Sequence, residues 1–199
     1  MFWDARFDRR DYVYGKEPNA FLVAQRHRLE PGMSVLAVAD GEGRNGVWLA
    51  QQGMAVTSVD ASAVGVRKAL RLAMDREVRL TAVCADLTDW DWPQGTFDVV
   101  VAVFLHLRPA VRRRLHAAML QALRPGGLML LEAFRPEQLA LGTGGPPDRE
   151  MLYAPETLSA DFAEADILDL ASAEPDLDEG PFHRGRAATV RLVARRPMV

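Results

Sequence analysis

Short apolar runs alternate with helix-period segments through the middle of this chain, and that alternation restricts the fold more than any other feature. Residues 33–38, 55–59, 79–83, 97–103 and 128–134 read as strands, most of them apolar enough to be covered on both faces. The run 97–103 is the most apolar and is expected at the centre of the sheet. Between the first two strands, residues 44–52 carry Val47, Leu49 and Ala50 as a helix, and Gly53 stands where a helix C-terminus favours a left-handed residue. Ser62 is placed to cap a helix running to about Asp75. Val111, Leu115, Met119 and Leu123 recur every fourth residue in a helix that stops at Pro125-Gly126-Gly127, with Arg112, Arg113 and Arg114 expected on its wet side. Such alternation predicts a doubly wound, mostly parallel α/β sheet with helices on both faces.

The remainder differs in texture. Residues 136–155 contain Gly142-Thr143-Gly144-Gly145-Pro146-Pro147, which predicts a long, irregular, lid-like loop. A helix is expected near 156–162, strands near 166–171 and 187–194, and a plain connection over 175–185. The organisation is read as one domain over 1–199, with an N-terminal cap over 1–30, a core over 31–135, the loop over 136–155 and a C-terminal helix and strand pair over 156–199.

Composition narrows the partners. At 49% apolar residues and 26% charged, the chain is too apolar for a disordered protein and long enough to bury a core. A net charge of -3 argues against a general nucleic-acid binder, and almost all the basic residues are arginines. One cysteine, Cys84, excludes an internal disulfide framework, and no Cys/His spacing resembles a metal site. The uncharged stretch 99–107 falls far short of the roughly 18 residues of a membrane span, and the N-terminus lacks an apolar signal core, so a soluble, cytoplasmic protein is expected.

The chemistry concentrates after the first strand. Asp40-Gly41-Glu42-Gly43-Arg44-Asn45-Gly46 lies between a strand and a helix, where glycines permit a tight turn and a close approach of ligand to backbone. Asp60 ends the second strand, where a carboxylate can accept ribose hydroxyls, and Asp86 follows the third, where it can reach an exocyclic amine. Gly41, Gly43 and Gly46 also satisfy the dinucleotide pattern G-x-G-x-x-G, so Asp60 does not by itself separate nicotinamide dinucleotides from S-adenosylmethionine. The second acid, Asp86, favours S-adenosylmethionine.

With these residues in view, the chain resembles the class I S-adenosylmethionine-dependent methyltransferases, and within them the tellurite-resistance and thiopurine-type small-molecule branch. Four stretches carry the likeness: Trp3 to Phe7 with Tyr12 to Asn19; Gly41 to Asn45 with Val47 to Ala50 and Val59 to Ser62; Phe97 to Val101 with His106-Leu107 and Leu123 to Gly127; and Glu132 to Leu139 with Gly142 to Pro146. The resemblance implies a Rossmann-like, seven-stranded sheet with one late antiparallel strand beneath an N-terminal cap. It implies cofactor contacts at Ala39, Asp40, Gly41, Glu42, Gly43, Asn45, Asp60, Ala61, Ser62, Asp86, Leu87, Val103 and Phe104, and no metal. Ala37 and Ala39 stand where the family usually has an acid and a glycine, and Ala39 is tolerated there if its backbone stays at negative φ.

Methyl transfer from a sulfonium is an in-line displacement and needs alignment more than activation. His106 and His183 are the candidates to accept a proton or orient an acceptor. Tyr14, Arg44, Phe134 and Arg135 are the candidates for acceptor binding, the arginines because they can hold an anion. His27 and His116 are expected at the surface. The reading is a methyltransferase for a small acceptor: a thiol, a chalcogen oxyanion or a heterocycle. A non-catalytic cofactor-binding module, suggested by Ala37 and Ala39, and an NAD-dependent oxidoreductase stand as the alternatives.

Overall fold

A computed structural model describes residues 2–198. Two compact units make up the chain. The first runs through Trp90 and takes back Glu179–Phe182; the second holds Asp91–Asp178 and the residues from His183 onward.

In the first unit, helix α1 (Phe2–Phe7) and helix α2 (Ala20–Ala24) precede strand β1 (Ser34–Val38), helix α3 (Arg44–Gln51), strand β2 (Ala55–Asp60), helix α4 (Ala63–Asp75) and strand β3 (Thr81–Cys84). β1 pairs with β2 and β2 with β3, all parallel, so that Asp60 lies opposite Cys84. Burial of Val35, Leu36, Leu49, Val59 and Leu72 supplies the core, each such side chain worth about 1.5–3 kcal/mol when fully removed from water. α4 begins as its sequence demands: Ser62 accepts the Gly65 N–H, and Val66, Ala69, Leu72 and Ala73 form its buried stripe. Gly43 (φ 86) and Gly53 (φ 88) bracket α3 in left-handed conformations.

The second unit carries strand β4 (Phe97–Val103), helix α5 (Pro109–Ala122), strand β5 (Leu123–Phe134), helix α6 (Pro155–Asp161), strand β6 (Asp166–Ala173), strands β7 (Asp176–Asp178) and β8 (Arg184–Arg186), and strand β9 (Thr189–Arg195). β4 and β5 are parallel, whereas β9 runs antiparallel between β5 and β6. The seven-stranded sheet has the order β3-β2-β1-β4-β5-β9-β6, with the most apolar strand in its middle as expected. No helix among the described residues is long and apolar enough to cross a membrane.

Four expectations are corrected. The helix ends at Ala122, before Pro125-Gly126-Gly127, and the strand expected from residue 128 begins at Leu123: β5 runs through the Pro-Gly-Gly with a register shift, and the Gly126 N–H bonds to the Arg196 carbonyl at 2.9 Å. Residues 175–185 are not a plain connection, because β7 and β8 form a small antiparallel hairpin. Arg112 and His116 face inward rather than to water. Both bond to the buried Asp161 carboxylate, Arg112 Nε at 2.6 Å and His116 Nδ1 at 2.8 Å, and one helix's own pattern cannot reveal a partner supplied by another. Arg113, Arg114 and His27 are exposed, as read.

The fourth correction concerns the turn after β1. Ala39 has φ 50, in the left-handed region, and so does Phe104 (φ 55), the residue directly after β4. A left-handed residue with a Cβ costs roughly 1–2 kcal/mol, and glycine recovers part of that because it gives up more chain entropy on folding. Ala39→Gly is therefore expected to stabilise the fold by about 0.5–1 kcal/mol in urea unfolding. A loss of stability would show that the Ala39 methyl packs more than the strain costs.

Candidate functional site

The first unit gathers the acidic and glycine residues at the carboxyl ends of β1, β2 and β3. Asp60 is buried, and each of its oxygens accepts one backbone N–H at 2.8 Å, Oδ2 from Gly41 and Oδ1 from Ser62. The second strand's acid thereby fixes the glycine turn and the cap of α4 at once. Burial pushes the Asp60 carboxyl above its usual range, the two amides oppose that, and the nearby Asp4 charge adds to it. Ala61, between Asp60 and Ser62, accepts the Cys84 thiol at 3.8 Å. Asp86 lies two residues beyond Cys84 and is exposed; its Oδ1 accepts the Thr88 N–H at 2.9 Å and the Thr88 hydroxyl at 2.8 Å, which hold it below the usual carboxylate range. Leu87 beside it is buried.

The other predicted acids of the loop have partners within the protein. The Asp40 carboxylate turns inward, accepting the Ser58 hydroxyl at 2.9 Å and the Gly46 N–H at 3.2 Å. Gly46 permits this approach, since a Cβ there would stand 2.4 Å from Asp40 Oδ2. Burial raises Asp40 to about 7. Glu42 is buried, accepts the Val13 N–H at 2.7 Å and pairs with Lys68. Gly43 is packed so closely on α4 that a Cβ would come within 2.5 Å of the Ala69 methyl.

The N-terminal segment lies over this loop. Phe7 covers Gly41, its ring tip 3.1 Å from where a Cβ would stand, and Asp4 accepts the Ser62 hydroxyl at 2.7 Å and the Val64 N–H at 3.2 Å. Lys68 donates to the carbonyls of Phe7, Arg9 and Asp11. Asn45 accepts the Asn19 N–H at 2.9 Å, and Arg44 is held by Glu179 at 2.7 Å. Tyr14 packs against Phe7 and Phe182, and burial raises its hydroxyl.

The second unit brings together Phe104 and His106, which follow β4, Phe134, which ends β5, and His183, which stands just before β8. Val103 is the last residue of β4 and leads into Phe104. Phe104 stacks on Phe134 with centroids 4.5 Å apart, and His183 meets both rings edge-on at 4.6 and 5.3 Å. His106 Nδ1 donates to the Met151 carbonyl at 2.8 Å while Nε2 accepts the Phe134 N–H at 3.3 Å, an assignment of tautomer that satisfies both partners. Burial pushes His106 down to about 4, so the ring is neutral. Arg135 stands loosely between Glu137 at 3.6 Å and Glu174 at 3.8 Å, and its buried Nε has no hydrogen bond.

Sequence reasoning missed Asp4, Asn19, Lys68, Tyr153 and Glu179. Tyr153 is fully buried and accepts the Leu107 N–H at 2.7 Å, which fixes the segment after Phe104. Only the Asn19 cap of α2 left a local signal, because the other partners are 26 or more residues distant.

Comparison with known proteins then gives the site its context. Residues 35–127 match a family model described as a methyltransferase domain. That stretch holds the glycine loop, Asp60, Asp86 and β4. The chain is also 33% identical over 127 residues to an uncharacterized methyltransferase of Synechocystis sp. (strain ATCC 27184 / PCC 6803 / Kazusa), an alignment covering 62% of this chain and 58% of that protein. It thus spans little more than half the length of that curated relative. Among solved structures, one from work on the conversion of a disulfide bond into a thioacetal group during echinomycin biosynthesis superposes with a TM-score of 0.78 at 20% identity, covering 99% of this chain and 92% of the other. The N-methyltransferase NodS from Bradyrhizobium japonicum, in complex with S-adenosyl-L-homocysteine, gives 0.75 at 14% identity over 98% and 97%. TehB from Haemophilus influenzae gives 0.73 at 18% identity over 89% and 62%. The chain has the Rossmann-like methyltransferase fold.

Proposed function

We propose that this chain is an S-adenosylmethionine-dependent methyltransferase acting on a small-molecule acceptor. The observation that carries the reading is Asp60: a buried carboxylate, oriented by the Gly41 and Ser62 amides at the end of β2, inside the stretch that matches a methyltransferase domain. Its oxygens each keep lone-pair capacity beyond one amide, which suits two neighbouring ribose hydroxyls. Asp86 Oδ2, which Thr88 does not engage, suits the amine of an adenine. S-adenosylmethionine, when bound, supplies an already activated methyl on a sulfonium. The protein's part is to grip, align and exclude water.

Loop residues Ala39, Gly41, Gly43, Ala61, Ser62 and Leu87 shape the cofactor's bed in this reading, while Asp40, Glu42 and Asn45 brace it from within. Val103 and Phe104 complete the set of residues assigned to the cofactor from the sequence. For the acceptor, the second unit favours an anion or a soft nucleophile. His106 is neutral with both ring nitrogens bonded to backbone, so it positions the 104–107 segment and does not take a proton. Arg135, with its unbonded Nε, is assigned to an anionic acceptor, and Phe134 and His183 to its polarisable wall. Tyr14 and Arg44 are the first unit's acceptor-side residues. A thiolate, a chalcogen oxyanion or an electron-rich heterocycle needs no general base and fits these residues best. One domain over 1–199 with a lid-like 136–155 loop, in the cytoplasm, completes the reading.

Methyl-labelled S-adenosylmethionine incubated with the protein and a panel of an aryl thiol, selenite, tellurite and a thiopurine tests it. Label is expected in at least one product, accompanied by S-adenosyl-L-homocysteine. No release of S-adenosyl-L-homocysteine with any acceptor, together with no binding of either nucleoside, would overturn the proposal.

A further inference from the structure

The turn between β7 and β8 belongs with the first unit although both strands belong to the second. Glu179 is buried there, its carboxylate accepting Arg44 Nη2 at 2.7 Å and Asn19 Nδ2 at 2.9 Å. Gly180 (φ 85) brings backbone against backbone: a Cβ on it would come within 2.5 Å of Gly15 N and 2.8 Å of the Val13 carbonyl. Phe182 takes the guanidinium groups of Arg6 and Arg9 on its ring at 4.7 and 5.1 Å and meets Tyr14 edge-on. Residues 179–182 thus fasten the N-terminal strap of residues 2–19, whose Phe7 covers Gly41 and whose Asp4 holds the cap beside Asp60.

The fastening is built differently at its tip and at its base. The tip buries an ion pair with an added amide donor, an arrangement costly to leave half made. The base is a hairpin of three residue pairs, too short to be stable alone, with an exposed Arg184–Asp178 contact of 3.5 Å; Leu177 is buried against Phe134, Leu152 and Ala187, and the Thr143 hydroxyl donates to the Arg186 carbonyl at 2.6 Å. Arg44 and Asn45, the receiving residues, open α3 immediately after the glycine turn, and Asn19 bonds to both Asn45 and Glu179.

We propose that the 179–182 turn is a latch on the N-terminal strap, with Glu179 as the positioning residue that holds Arg44 and Asn19, and that its release admits and frees the nucleoside. The latch rests on the reading that the first unit binds S-adenosylmethionine. It differs from a structural clamp in one respect: a released latch quickens entry as well as exit.

Stopped-flow binding of S-adenosyl-L-homocysteine to the full chain tests this in Glu179→Gln, which removes the charge and sets a donor against Arg44 or Asn19, and in Gly180→Ala, which pushes the turn off by contact with backbone. In both, association and dissociation rates are expected to rise by about tenfold, the scale of one charge-assisted bond, while exposed Arg184→Ala changes neither. A rise in dissociation alone, or no change in either variant, would overturn the latch. Hydrogen exchange without ligand separates this outcome from the cofactor reading. Faster exchange confined to residues 2–19 and 179–182 in both variants supports the latch even if the nucleoside does not bind the wild type, and unchanged exchange there overturns it.

Discussion

Asp60→Ala is expected to weaken binding of S-adenosyl-L-homocysteine by about a hundredfold, or about 2.7 kcal/mol. Hydrogen bonds to a charged group contribute roughly 1.5–3 kcal/mol each, and the proposal assigns two ribose hydroxyls to this carboxylate. The alanine variant also releases the Gly41 and Ser62 amides, so some of its loss comes from a loosened turn. Asp60→Asn distinguishes the two contributions, since its single oxygen still accepts one amide and its shape is unchanged. An intermediate loss is expected for it, with the melting temperature closer to wild type than in Asp60→Ala. Calorimetric titration of the three proteins at one salt concentration measures the series. An Asp60→Ala affinity within threefold of wild type would remove the ribose assignment.

The second large effect is on stability and comes from Asp40. Its carboxyl titrates at about 7 in the fold against 3.8 as an ordinary aspartate, because burial penalises the charge more than the Ser58 hydroxyl and the Gly46 amide favour it. A folded value above the unfolded one means that Asp40 stabilises the fold fully below about pH 4 and loses that contribution as pH rises to about 7. A shift of this size corresponds to an effect on the order of 4 kcal/mol between the two limits. Asp40→Asn removes the titration while keeping an acceptor for the Gly46 amide. Relative to wild type, the variant is therefore expected to gain stability steadily from pH 4 to pH 7 and to hold the gain above it. Taking the difference between the two proteins cancels the lowered carboxylates Asp4, Asp86 and Asp161, while the Asp60 charge, which helps to raise Asp40, is part of the effect being measured. Urea unfolding at pH 4, 5, 6, 7 and 8 provides the test, and a difference that does not vary with pH would contradict the buried, destabilised charge.

What could be read from the sequence was what local chemistry encodes. β4 and the cap of α4 were legible because a seven-residue strand with six apolar residues and a serine before an alanine-rich helix leave few alternatives. Asp60 and the glycine turn were legible as types and spacing. Their internal roles were not, because Asp40 turns inward onto Ser58 and Glu42 onto Lys68 only once β2 and α4 have packed. The left-handed Ala39 escaped for the same reason: propensity disfavours it, and the turn into the glycine loop overrides propensity. Arg112 and His116 looked like a solvated helix face until Asp161 arrived from α6 to pair with the guanidinium and bond the imidazole. Glu179 lies 135 residues from Arg44, and no periodicity links such a pair.

A crystal structure of the full chain with S-adenosyl-L-homocysteine examines the central assignment most directly. The ribose hydroxyls are expected within about 2.5–3.0 Å of the Asp60 oxygens, with the base on the side of Asp86. Nucleoside density elsewhere, with Asp60 still bonded to the Gly41 and Ser62 amides alone, would contradict it.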